Sequence, residues 1–152
     1  MRVPIKLLED KRLVVLASFR ANPKYRIGRS AIEFVIDTGG TESFVGYMDA
    51  IRLNLPFNGL KFKKSIPIGG SSLSLYGLEG VELGFIDHAQ TSVKRVKLKE
   101  FFVCATPKKK QKGIQNAKRI PSVLGMNFLT ENKVALHCNP CDKNEMYLEF
   151  QD

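Results

Sequence analysis

The sequence predicts an all-β fold, a closed or nearly closed barrel with one or two short helices. Three observations carry that expectation. Short apolar runs, several of strictly alternating parity, recur along the chain and are punctuated by Gly, Pro, Asn and Ser. Only two segments have helical spacing, and each spans a turn or two. The chain has 152 residues, 43% of them apolar and 26% charged. That is enough for one domain over residues 1–152 with a sizeable core, and too little for two fused lobes. No internal repeat of solenoid length is visible.

In chain order, Leu13 to Ala21 reads as a strand and Arg26 to Ile36 as a second, with Asn22-Pro23-Lys24 as the turn between them. Thr41 to Val45 is a short extended piece. Tyr47 to Leu53 suits a helical turn or two, with Met48 and Ile51 inward and Asp49 and Arg52 outward, and Pro56 ends it. Lys61 to Tyr76 reads as a hairpin, because Gly69, Gly70, Ser71 and Ser72 interrupt its apolar residues. Val81 to Phe85 alternates as a half-buried strand should. Val96, Leu98 and Phe102 share parity and read as one further strand. Pro107 to Arg119 is a polar basic loop, and Leu124 to Thr130 is a short helix with Leu124 and Phe128 on one face. Val134 to His137 and Met146 to Phe150 are closing strands.

Composition narrows the function classes. No apolar run approaches the length of a membrane span, and the N-terminal residues lack the long apolar segment of a secretory signal. Three cysteines make no disulfide framework, so the expectation is a reduced, cytoplasmic protein. Net charge is +9, and it is concentrated. Lys94 to Arg119 hold ten Lys/Arg and one acid, Glu100, while the rest of the chain balances fourteen against fourteen. Such a block reads as a solvated strand face and a flexible loop, with a nucleic-acid footprint as its rival. The lysine-rich loop has no aromatic residue on which a base could stack, which disfavours nucleic acid.

His137-Cys138-Asn139-Pro140-Cys141 offers a Cys-x-x-Cys, a redox pair or half a zinc site. On a strand His137 and Cys138 point to opposite faces, which disfavours joint ligation with Cys141 and Cys104. The expectation is a turn joining two strands, with Asn139-Pro140 at its tip and no metal. His88 falls in a polar turn, and no glycine-rich loop precedes a lysine at phosphate-binding spacing.

The chemistry-bearing run is Phe34-Val35-Ile36-Asp37-Thr38-Gly39, an apolar strand driving into an Asp-Thr-Gly turn. Much later, Val123-Leu124-Gly125 runs into Met126-Asn127-Phe128-Leu129. This pair of motifs, in this order, resembles one unit of a retropepsin-like aspartic peptidase over roughly residues 30 to 150. The resemblance implies a barrel of retropepsin type. It also implies catalysis by Asp37, with Thr38 bracing two turns across a dimer and Gly39 letting a backbone N–H reach the carboxylate. The hairpin residues Ile68, Gly69, Gly70 and Ser71 stand where the family's substrate-covering flap stands.

Two departures are visible: Gly40 replaces the usual alanine or serine, and Met126 replaces the arginine of retroviral members. Both point to a cellular relative. Hydrolysis by this route needs two carboxylates about 3 Å apart sharing one proton, one activating water and the other polarising the carbonyl. Asp-Thr-Gly occurs once. The second Asp37 therefore has to come from a second copy, in a homodimer with the site on its two-fold axis. The expected activity is endopeptidase, with a peptide or protein as substrate and no cofactor. The alternatives are a catalytically silent dimeric barrel that binds a peptide or protein partner, or a basic nucleic-acid-binding module.

Overall fold

Residues 1–68, 71–105 and 118–151 are described by the computed structural model of the chain. Among them, thirteen strands and two short helices form a mostly β architecture. The strands are β1 (Arg2–Pro4), β2 (Lys6–Leu7), β3 (Leu13–Arg20), β4 (Ser30–Ile36), β5 (Phe44–Val45), β6 (Phe62–Ile68), β7 (Ser71–Gly77), β8 (Glu82–Ile86), β9 (Val93–Lys97), β10 (Phe102–Ala105), β11 (Val123–Leu124), β12 (Val134–Cys138) and β13 (Met146–Phe150). The helices are α1 (Tyr47–Arg52) and α2 (Met126–Glu131). No helix among the described residues is long and apolar enough to cross a membrane.

A ten-stranded sheet runs in the order β6-β7-β10-β5-β11-β4-β3-β8-β9, with β2 added to β3, and β1-β13-β12 form a second sheet of three strands. The path is not strictly closed, so the molecule is the nearly closed form of the expected barrel. At its centre β11 pairs parallel with β4 and antiparallel with β5, and β5 pairs parallel with β10. Two distant chain segments, β5 and β11, thus lie side by side between β10 and β4.

Strand alternation fills the core. Val15, Ala17 and Phe19 of β3 face inward with Ile32, Phe34 and Ile36 of β4. Phe101 packs on both Phe19 and Phe34, with ring centroids 6.1 and 6.2 Å apart. A second aromatic trio, Phe85, Phe128 and Phe150, ties β8, α2 and β13 together at 5.4 to 6.3 Å. Such pairs contribute about 0.5–1.5 kcal/mol each beyond their buried area. A smaller cluster of Phe44, Leu73, Leu75, Phe102, Cys104 and Val123 lies where the β6–β7 hairpin joins the sheet.

Several expectations are corrected. The helix α1 turns the other way: Met48 and Ile51 are about half exposed, and Ala50 is buried. Asp49 decides this, since it accepts a hydrogen bond from the buried Ser122 hydroxyl and is held by Arg52. The strand expected across Val96 to Phe102 is two strands, β9 on β8 and β10 between β7 and β5. Leu98 and Phe102, which share parity, are both buried with the exposed Lys99 and Glu100 between them, so the alternation reads as continuous across the break. The strand expected from Arg26 starts only at Ser30, because Arg26 takes a left-handed conformation (φ 54°) that closes a 3-10 turn over Pro23–Tyr25. Leu124 belongs to β11 and not to the following helix. The strand β8 is buried on both faces up to Phe85, with Glu82 covered by Arg20 and Arg95.

Candidate active site

Asp37 follows β4 directly, and its backbone is set by the second motif. Its N–H donates to the Leu124 carbonyl at 3.0 Å, and the Val35 N–H donates to the Ser122 carbonyl at 2.9 Å. The turn then closes on its own carboxylate. Oδ1 of Asp37 accepts from the Gly39 N–H at 2.9 Å and from the Gly40 N–H at 3.1 Å. No donor among the described residues reaches Oδ2. Asp37, Thr38 and Gly39 are all exposed in the single chain, so carboxylate and hydroxyl stand at the surface. The Gly39 N–H is thus one of the two donors on the carboxylate.

The helix α2 is docked onto this turn. Its first N–H groups, which have no partner inside the helix, donate to the turn's own carbonyls, Met126 to Gly40 at 2.8 Å and Asn127 to Thr41 at 3.0 Å. Gly125 crosses Glu42 so closely that a Cβ on it would lie 2.5 Å from the Glu42 carbonyl oxygen. Only glycine permits that approach.

A reciprocal pair of serines holds the two motifs together, and sequence reasoning missed both. Ser43, fully buried, accepts from the Gly125 N–H at 3.0 Å and donates to Oδ1 of Asn127 at 2.6 Å. Ser122, also buried, accepts from the Gly46 N–H at 2.9 Å and donates to Oδ2 of Asp49 at 2.7 Å. Each hydroxyl caps the glycine of the opposite unit and reaches the helix behind it. The signal was present as a repeat, Ser43-Phe44-Val45-Gly46 and Ser122-Val123-Leu124-Gly125. Only the second copy attracts attention, because it alone forms half of a known motif pair.

The hairpin expected to act as a flap is formed by β6 and β7, with Ile68 opposite Ser71 as the last rung. Gly69 and Gly70 lie outside the described residues. The hairpin is tethered to the Asp37 loop by an ion pair: Lys64 of β6 meets Glu42, whose side chain is 16% exposed, and the ammonium lies 5.2 Å from the Phe102 ring centroid. Neither Glu42 nor Lys64 carried any sequence signal.

The competing sites are dispersed. Cys104 is buried in β10, where loss of solvent pushes its thiol up to about 12. Cys138 and Cys141 are exposed at the β12–β13 turn, which Asn139 organises by accepting from the Cys141 N–H and donating to Glu145. His137 meets Glu149 at 3.1 Å and stacks on Tyr147, and His88 is exposed. No cluster of three or more metal-ligating side chains forms among the described residues. The linear basic block also divides. Lys94, Arg95 and Lys97 lie on β9 at one edge of the sheet, with three strands between it and β11, which follows Lys118 and Arg119. The part of the block from residue 106 to 117 lies outside the described residues.

No family model and no curated protein matches the sequence. Solved structures do match. A retropepsin-like aspartic protease from Rickettsia conorii superposes with a TM-score of 0.57 at 15% identity, over 97% of this chain and 89% of that one. EIAV protease, solved with the inhibitor HBY-793, superposes with a TM-score of 0.51 at 12% identity, over 88% of this chain and 99% of that one. The fold is retropepsin-like. In both superpositions the shared part takes in most of the chain.

Proposed function

We propose that this chain, as a single domain over residues 1–152, is an aspartic endopeptidase that works as a homodimer. The observation that carries the reading is the Asp37 turn: one carboxylate oxygen held by two backbone N–H groups, the other open, and Thr38 exposed beside it. The retropepsin-like fold supports the same reading. A second copy brings a second Asp37. One carboxylate, ionised, takes a proton from water as that water attacks the peptide carbonyl. The other, protonated, donates to the carbonyl oxygen. No cofactor enters the reaction. The Thr38 hydroxyls meet across the axis, and the β6–β7 hairpin, with Ile68, Gly69, Gly70 and Ser71 at and beside its tip, covers the bound peptide.

The reactive form holds one proton on two carboxylates. Below the first apparent pKa of the pair no base remains, and above the second no acid remains. Cleavage therefore follows a bell on the acidic side of neutrality, both limbs belonging to the pair. The test is Asp37→Asn, which removes the ionisable group with almost no change in shape. Peptide cleavage is expected to fall by at least about 10²–10⁴-fold, the usual contribution of a general acid–base group, while sedimentation still shows a dimer. A dimeric wild type that cuts no peptide at any acidic pH makes a catalytically silent peptide-binding barrel the better account.

A further inference from the structure

A groove of about 600 Å³ crosses the outer face of the sheet, away from the Asp37 turn. Its floor is a row of small side chains in register across three strands: Ala31 on β4, Ser18 on β3 and Gly84 on β8. A Cβ at Gly84 would lie 2.4 Å from Oγ of Ser18, so the glycine keeps the floor open. The next row is apolar and exposed, with Leu16 at 62%, Ile86 at 53% and Val93 at 52%. Three large aliphatic side chains gathered on one concave face form the kind of patch that marks an interaction site.

The rim is charged, and Arg95 on it already pairs with Glu82. Lys6, Arg29 and Arg95 line the groove against Glu33 and Asp87. The Asp87 carboxylate is already occupied, accepting from the backbone N–H and hydroxyl groups of Thr91 and Ser92. Arg29 also lines the adjoining cavity of about 660 Å³, together with Arg20 and Lys97, where Glu82 is the sole acid. We infer that this face binds an extended protein segment in which aliphatic residues alternate with Asp or Glu. The aliphatic side chains lie against Leu16, Ile86 and Val93, and the carboxylates meet Arg29 and Lys6, with Arg95, shared with Glu82, beside them. A second copy of this chain suits the face poorly, because its own cations would meet these, and lysines on the edge strand β9 oppose sheet extension. The inference uses neither Asp37 nor the flap, so it stands apart from the catalytic reading.

The test is fluorescence anisotropy with a labelled peptide alternating Leu and Glu, and with its Leu/Lys counterpart. Saturable binding of the Leu/Glu peptide alone is expected, weakened at least about tenfold, a loss of roughly 1.4 kcal/mol, by Leu16→Glu and by Val93→Glu. Both positions are more than half exposed, so folding is not at stake, and an unchanged melting curve verifies this. Four results overturn the inference: no saturable binding, equal binding of the two peptides, binding indifferent to both substitutions, or self-association in sedimentation that either substitution abolishes.

Discussion

Asp37 and Asp87 both sit in turns and accept backbone hydrogen bonds, and they differ in what is left over. Asp87, between β8 and β9, has both carboxylate oxygens occupied: Oδ1 by the Thr91 and Ser92 N–H groups, Oδ2 by the two hydroxyls. Those donors hold its pKa down at about 2, with the Ser92 backbone N–H contributing most. Asp37 has two donors, both on Oδ1, and both are backbone groups of its own turn. A carboxylate saturated with donors is a structural clip. One fixed by a single oxygen has its orientation set and a lone pair free to meet water or a second carboxylate. The two turns therefore separate structural from chemical use of the same side chain, and substitution at each tests the separation.

The largest expected effect is the contrast between Asp37→Asn and Asp87→Asn in a cleavage assay near the pH optimum. The first removes activity by at least about 10²-fold, and the second leaves it unchanged. Loss of activity in both, with the fold intact, would erase the distinction.

Next come the two serines, which ask how far the machinery around Asp37 extends. Ser43→Ala leaves the Gly125 N–H without its partner, and Ser122→Ala does the same to the Gly46 N–H. Orphaning a buried donor costs about 1–3 kcal/mol, so urea denaturation should show losses of that size in both variants. The cleavage assay should tell them apart. Gly125 and Asn127 abut the loop that leaves Asp37, so Ser43→Ala lowers kcat as well. Ser122→Ala acts on Gly46 and Asp49, where Arg52 still holds the carboxylate, and spares kcat. Equal effects on kcat would show that the clamp works as one unit.

A smaller effect is expected at Gly40. A Cβ there would stand 2.9 Å from Oδ2 of Asp37 and 3.3 Å from its Cγ, so the free end of the carboxylate has to yield by a few tenths of an ångström. In Gly40→Ala, kcat should fall by less than about tenfold, equivalent to 1.4 kcal/mol of barrier, with stability within about 0.5 kcal/mol of wild type. A collapse of activity on the scale of Asp37→Asn would mean that the open oxygen tolerates no neighbour at all.

Sequence alone made the strand before Asp37, the turn and its glycine legible, because they are consecutive in the chain and their residue types have local causes. The two-motif pairing was legible through order alone. What escaped was reciprocal. Ser43 finds Gly125, and Ser122 finds Gly46, only because β5 and β11 lie side by side, and no local pattern states that adjacency. The orientation of α1 escaped for the same reason: apolar spacing pointed Met48 and Ile51 inward, but Ser122, far along the chain, captures Asp49 and turns the helix. The break between β9 and β10 escaped because Leu98 and Phe102, buried on either side of it, share parity. The first two strands, β1 and β2, are too short for alternation to register, and they are defined by their partners β13 and β3.

The smallest effect belongs to Asp87 itself, and its sign follows from the direction of the shift. Its folded-state pKa, about 2, lies below the ordinary aspartate value of 3.8. Folding therefore favours the ionised form. The stability this contributes is complete above the unfolded-state value and is lost as pH falls from about 4 through about 2. Asp87→Asn cannot titrate, so its stability should vary less with pH across that window than that of the wild type, while the two curves run parallel at higher pH. The group is only partly buried, so the change is a difference in slope and not a collapse of the fold. Denaturant midpoints measured at intervals from pH 5 to pH 2 (a range chosen to bracket carboxylate titration, roughly) would show it. Identical slopes in the two proteins would mean that the four donors around Asp87 are present equally in the unfolded chain, and the view of this turn as a structural clip would fail.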